Sequence, residues 1–151
     1  MQVWRLYPER FRETAFTGAG GLYVASRWNH LGTAMVYCAT SPALAAVELF
    51  VNLEPNEKPD DLLMAEATVP DELVEDLSLD LLPTDWRELN NLACRDLGSG
   101  RAASVRSLGL RVPSAVVDGD WNLLLNPRHS AIGQIQIAAL RPFRFDGRMF
   151  R

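Results

Sequence analysis

Between Ala34 and Val51 the chain is almost wholly apolar, broken only by Thr40-Ser41-Pro42 and by one charged side chain, Glu48. Few arrangements accept such a stretch. Ala34-Met35-Val36-Tyr37-Cys38-Ala39 has strand length and no polar alternation, which places it in the middle of a sheet covered on both faces. Ser41 is a favoured N-cap and Pro42 a favoured first helical residue, so a helix is expected from about Pro42 to Val51. Glu48 falls on the i, i+3, i+4, i+7 stripe of that helix with Leu44, Val47 and Val51, which turns its carboxylate inward. Burying a bare carboxylate is costly, so Glu48 needs either a partner or a cleft. Two readings stand: a structural ion pair with one of the arginines, or a functional carboxylate in a perturbing environment.

The flanking sequence supplies further strands and two more helical stretches. Val3–Tyr7 alternates as a strand does and stops at Pro8, and Leu22–Ala25, after the Gly18–Gly21 cluster, has strand composition. Leu62–Val69 reads as another strand. Thr84 is placed to cap a helix over about Asp85–Leu97, with Trp86, Leu89, Leu92 and Ala93 on one face, and a short helix is expected over Arg101–Leu108. Arg111–Val117, Trp121–Leu125 and Gln134–Leu140 read as strands separated by Asp118-Gly119-Asp120 and Asn126-Pro127 turns. No repeat or Gly/Ser linker divides the 151 residues, so one domain over 1–151 is expected.

Composition excludes several classes. With 48% hydrophobic and 23% charged residues the chain matches folded globular domains. There is no apolar run of membrane-spanning length and no signal-peptide pattern at Met1–Arg5, so a cytoplasmic protein without membrane contact is expected. Cys38 and Cys94 lack Cys-x-x-Cys spacing or a nearby histidine, and His30 and His129 are far apart, so neither a disulfide framework nor a metal site is expected. The net charge of −4 is uneven: residues 54–80 hold ten acidic side chains and only Lys58, while the remainder carries fourteen arginines against nine carboxylates. A basic patch suited to phosphate is therefore compatible with an acidic chain. The Gly18–Gly21 cluster fits neither a P-loop nor a dinucleotide fingerprint, and basic and aromatic residues are not interleaved as in nucleic-acid binders.

Taken singly, Arg27 after a glycine-bounded segment, Tyr37 in the apolar strand and Ser114 after Pro113 are ordinary residues. Their order with Glu48 is more specific. The chain resembles the RES domain family through Trp4-Arg5-Leu6-Tyr7, Gly20-Gly21-Leu22, Ser26-Arg27-Trp28-Asn29, Gly32-Thr33 and Val36-Tyr37-Cys38-Ala39. The match continues through Ser41–Glu48, Leu82-Pro83 with Asp85-Trp86-Arg87, Leu110–Val117 and Asn122–His129. Two places depart from it: Ala25-Ser26 precede Arg27 where the family often has Gly-Gly, and Leu97–Arg101 lacks an acid and an aromatic.

The resemblance implies an α+β domain with a mixed, largely antiparallel sheet like that of ADP-ribosyltransferases. It implies a bacterial toxin that consumes NAD+ and pairs with an Xre-type antitoxin covering its active site, with self-association into a homodimer also open. Arg27, Tyr37, Glu48 and Ser114 would form the catalytic set, and Trp28 and Asn126 would join Arg27, Tyr37 and Ser114 in binding NAD+. By this analogy Glu48 stabilises positive charge on the ribose, Tyr37 stacks on nicotinamide, Arg27 holds a phosphate or orients Glu48, and Ser114 bonds the ribose. The acceptor is left open between water (hydrolysis), phosphate (phosphorolysis) and a protein (ADP-ribosylation). A binding module without catalysis is the competing class.

Overall fold

The computed structural model describes all 151 residues, organised as one α+β domain on a single seven-stranded sheet. Its strands are β1 (Gln2–Pro8), β2 (Val36–Ala39), β3 (Leu62–Thr68), β4 (Val74–Asp76), β5 (Gly109–Pro113), β6 (Trp121–Leu125) and β7 (Gln136–Phe143). Across the sheet they run β4-β5-β6-β2-β1-β3-β7, antiparallel throughout except for the β4–β5 pair. Three α-helices, α1 (Gly20–Tyr23), α2 (Pro42–Phe50) and α3 (Leu92–Ser104), complete the expected mixed, largely antiparallel architecture.

Strand alternation sends side chains to two faces, and α2 and α3 lie on the same one. Leu44 and Ala45 of α2 pack with Leu6, Ala39 and Met64, while Cys94 and Ala102 of α3 pack with Leu110, Val112 and Leu124. The opposite face presents Val3, Val36, Cys38, Leu123 and Leu125, which loops close through Phe16, Leu73, Ile132 and Ile135. Each such fully buried aliphatic side chain contributes about 1.5–3 kcal/mol. β1 and β2 share a single registered pair, Trp4 with Ala39. Beside it the Arg5 guanidinium bridges the two strands and a loop, donating to the carbonyls of Tyr37 and Ala15 at 2.7 Å each.

Several local expectations are corrected. Leu22–Ala25 is not a strand: Gly20–Tyr23 forms a helical turn, and Leu22, Tyr23 and Val24 are exposed. Backbone contact fixes that turn more than β propensity does, since a Cβ on Gly21 would meet the Thr33 carbonyl oxygen at 2.1 Å. The two helices expected over 85–97 and 101–108 are one, Leu92–Ser104. Asn90 sits at a φ of +60°, which stops the earlier turns from continuing, and Asn91 Oδ1 caps α3 by accepting from Cys94 N at 3.1 Å. The buried helical face is therefore Cys94, Gly98 and Ala102, while Leu89, Leu92 and Ala93 are exposed. The strand expected over 111–117 ends at Pro113, because the Ser114 hydroxyl accepts from Val116 N and Val117 N and closes a turn.

α3 ends on Val105, a β-branched residue held at a φ of +45°. Left-handed backbone costs an ordinary L-residue roughly 1–2 kcal/mol, less for asparagine. Val105→Asn is expected to raise stability by about 1 kcal/mol, read from the urea midpoint at unchanged slope.

Candidate functional site

The direct passage from β2 into α2 sets the position of Glu48. Ser41 Oγ accepts from Leu44 N at 3.0 Å and Pro42 opens the helix, so only Thr40 and Ser41 separate the strand from the helix. Leu44 and Ala45 then anchor α2 to the sheet, which brings Glu48 over the ends of β5 and β6. Its Oε1 accepts two hydrogen bonds, from Ser114 Oγ at 2.8 Å and from Asn122 Nδ2 at 2.7 Å. Oε2 accepts none from the chain. No arginine lies within ion-pair distance of Glu48, so the structural ion-pair reading falls.

Glu48 lines a cleft of about 680 Å³ between α2 and the segments Val24–Trp28 and Leu89–Asn90, floored by Trp4, Tyr37, Ala39 and Asn122. That volume falls within the range of sites for small molecules and cofactors. Its charged side chains are Glu48 against Arg27 and Arg95, a positive balance suited to an anionic ligand. Arg5 borders the cleft only from behind: its guanidinium lies on the other face of the sheet, on the carbonyls of Ala15 and Tyr37, where desolvation holds its pKa below the usual guanidinium value. Elsewhere, no group of three His, Cys, Asp or Glu side chains is placed to hold a metal ion.

The residues singled out from sequence have distinct places. Tyr37 lines the cleft, its hydroxyl donating to Asn29 Oδ1 at 2.7 Å and accepting from Trp28 N at 3.2 Å. Burial raises its phenol pKa well above the ordinary tyrosine value, so it stays neutral. Trp28 borders the cleft, but it is buried and packs on Trp86 with ring centroids 6.1 Å apart. Arg27 donates through Nη1 to the carbonyls of Trp86 at 2.8 Å and Glu88 at 3.1 Å. It pins the 84–90 loop against the cleft wall and makes no contact with Glu48.

Ser114 is only 1% exposed and sits behind the carboxylate. Its oxygen accepts two backbone N–H groups and its proton goes to Glu48, so it holds the carboxylate and has no bond left for a ribose. Asn126 is brought to a different place. It donates to the Ala102 carbonyl at 2.9 Å and borders a separate, water-sized pocket of about 20 Å³ beside α3.

Arg95 and Asn122 were missed by sequence reasoning. Asn122 is the one polar side chain between Trp121 and Leu125, on the β6 face opposite Leu123 and Leu125.

Fold and cleft define a class: a single α+β domain carrying one carboxylate without a counter-ion in an arginine-lined cleft. The chain belongs to the RES domain family, whose model matches residues 2–146. It is 33% identical over 152 residues to the Toxin Res of Yersinia enterocolitica, covering 99% of both chains. It is 34% identical over 154 residues to the Prs ADP-ribosylating toxin of a Sphingobium strain, covering 98% of this chain and 96% of that one. A chain of the crystal structure of the M. tuberculosis MbcT–MbcA toxin–antitoxin complex shares the fold, with a TM-score of 0.68 at 17% identity. The match covers 95% of this chain and 84% of that one.

Proposed function

We propose that this chain is the toxin of a toxin–antitoxin pair and that it consumes NAD+ in the Glu48 cleft by breaking the nicotinamide–ribose bond. The observation that carries this reading is the Glu48 carboxylate, fixed through Oε1 with Oε2 left free, in a cleft whose other charges are all arginine. When the C1′–N bond breaks, its electron pair leaves with nicotinamide and positive charge develops on the ribose. A fixed negative oxygen in a water-poor site stabilises that charge more than it stabilises the ground state. Arg27 and Arg95 supply attraction for the pyrophosphate, and the neutral Tyr37 ring offers a stacking face for a planar ring.

The acceptor completes the reaction on C1′: water gives ADP-ribose, phosphate gives its 1-phosphorylated form, and a protein nucleophile gives an ADP-ribosylated protein. The relative named as an ADP-ribosylating toxin favours keeping the last of these as the second reading. The cleft borders on exposed Val24, Val51, Leu89 and Val116, an apolar surround that suits a covering protein such as an Xre-type antitoxin.

Purified protein incubated with NAD+ is expected to release free nicotinamide, followed by chromatography. Arms without phosphate, with phosphate and with cell extract separate hydrolysis, phosphorolysis and transfer. Intact NAD+ in every arm, with no ADP-ribose on extract proteins, overturns the reading.

A further inference from the structure

Asn122 stands where the rest of its strand is apolar. It faces Ala39 on β2 and Val112 on β5, and Leu123, Leu124 and Leu125 after it are all buried. An aliphatic residue would be the ordinary choice at a central position of the sheet. Instead an amide is present, lining the cleft, with its Nδ2 on Glu48 Oε1 at 2.7 Å. Its bond falls on the same oxygen that Ser114 Oγ reaches. Both donors rest on rigid supports: Asn122 on a strand paired on both sides, and Ser114 in a turn fixed by two backbone N–H groups.

We propose that Asn122 is a positioning residue that works with Ser114 as a two-donor clamp, fixing the plane of the Glu48 carboxylate so that Oε2 alone is presented to the cleft. One hydrogen bond leaves a carboxylate free to turn about its side-chain torsions, whereas two donors converging from different elements remove that freedom. Placement matters because misplacing a reacting group by about 1 Å costs on the order of 100-fold in rate. The kinetic consequence rests on the NAD+-consuming reading; the placement of Glu48 does not.

Crystal structures of the wild type and of Asn122→Ala test the clamp without reference to activity. Glu48 is expected in one rotamer in the wild type and spread over two or more in the variant. An unchanged Glu48 in the variant overturns the proposal. In nicotinamide-release assays Asn122→Ala is expected to lower kcat by about 10–100-fold with KM within about threefold, because ground-state binding is left to other residues. A raised KM at unchanged kcat overturns the positioning role.

Asn122→Asp keeps the shape and removes the donor at neutral pH. It is expected to lower kcat at least as far as Asn122→Ala does, with KM again within about threefold. An Asn122→Asp variant with wild-type kcat counts against the clamp. If wild-type protein leaves NAD+ intact while Glu48 still loses its single rotamer in Asn122→Ala, the clamp stands and the NAD+ reading falls.

Discussion

A Glu48→Gln variant is expected to fold as the wild type does and to lose at least about 100-fold in kcat for nicotinamide release. The substitution is close to isosteric, and the amide oxygen can take the place of Oε1 between Ser114 Oγ and Asn122 Nδ2. What changes is the group facing the cleft, a negative oxygen in the wild type and a neutral amide N–H₂ in the variant. If Glu48 acts when the glycosidic bond breaks, as proposed, the loss falls on kcat and KM is largely kept. Thermal melting of the variant alongside the wild type separates lost chemistry from lost fold. A variant that keeps more than about half of the wild-type rate removes Glu48 from the centre of the mechanism.

The largest expected effect on stability is at Gly98. A Cβ built there lies 1.8 Å from the Trp28 carbonyl oxygen and 2.8 Å from its carbonyl carbon, so α3 presses directly on the backbone of the segment that carries Arg27. Backbone cannot step aside as a side-chain tip can. Gly98→Ala is expected to cost about 3 kcal/mol, at the top of the usual overpacking range, despite alanine's preference for helices. For a domain of this size that is a fall of roughly 6–12 °C in Tm. Gly100, in the same helix, has open space around its Cβ position, and Gly100→Ala should instead stabilise by up to about 1 kcal/mol. Equal effects at the two positions would contradict the close approach of α3 to Trp28.

This pair of glycines also explains where the sequence misled. Gly98 and Gly100 resemble a helix break, yet Gly98 is inside α3 because contact with Trp28 requires the absence of a side chain. The break falls instead at Asn90-Asn91, where a positive φ and a side-chain cap coincide. Elements whose signals were local and chemical, such as the Ser41-Pro42 helix start and the apolar run before it, were legible to within a few residues. β4 was not, because three residues inside an acidic window carry no alternation, and only their pairing with β5 makes them a strand.

The site was legible in one half. Glu48 stood out because a lone charge in an apolar helix is a local anomaly. Tyr37 and Arg27 could be placed near it through the family pattern, but the contacts of Arg27 with Trp86 and Glu88 span about sixty residues and leave no trace in spacing. The same is true of Ser114, whose hydroxyl turns out to hold Glu48. Asn126, named through the family pattern, lies past the far end of β6 beside α3, and the amide on Glu48 is that of Asn122, four residues earlier.

The clamp on Glu48 closes between residues 66 and 74 positions apart in the chain, and one of its donors sits on β6, between β2 and β5. A ribosome therefore releases Arg27, Tyr37 and Glu48 long before the residues that set the carboxylate in place. A nascent chain truncated before Trp121 lacks β6 altogether, and with it the strand that joins β2 to β5, so no product that short carries an assembled site. The cleft is complete only once β6 has joined the sheet, so the order of synthesis places the assembly of the site late in the making of the chain.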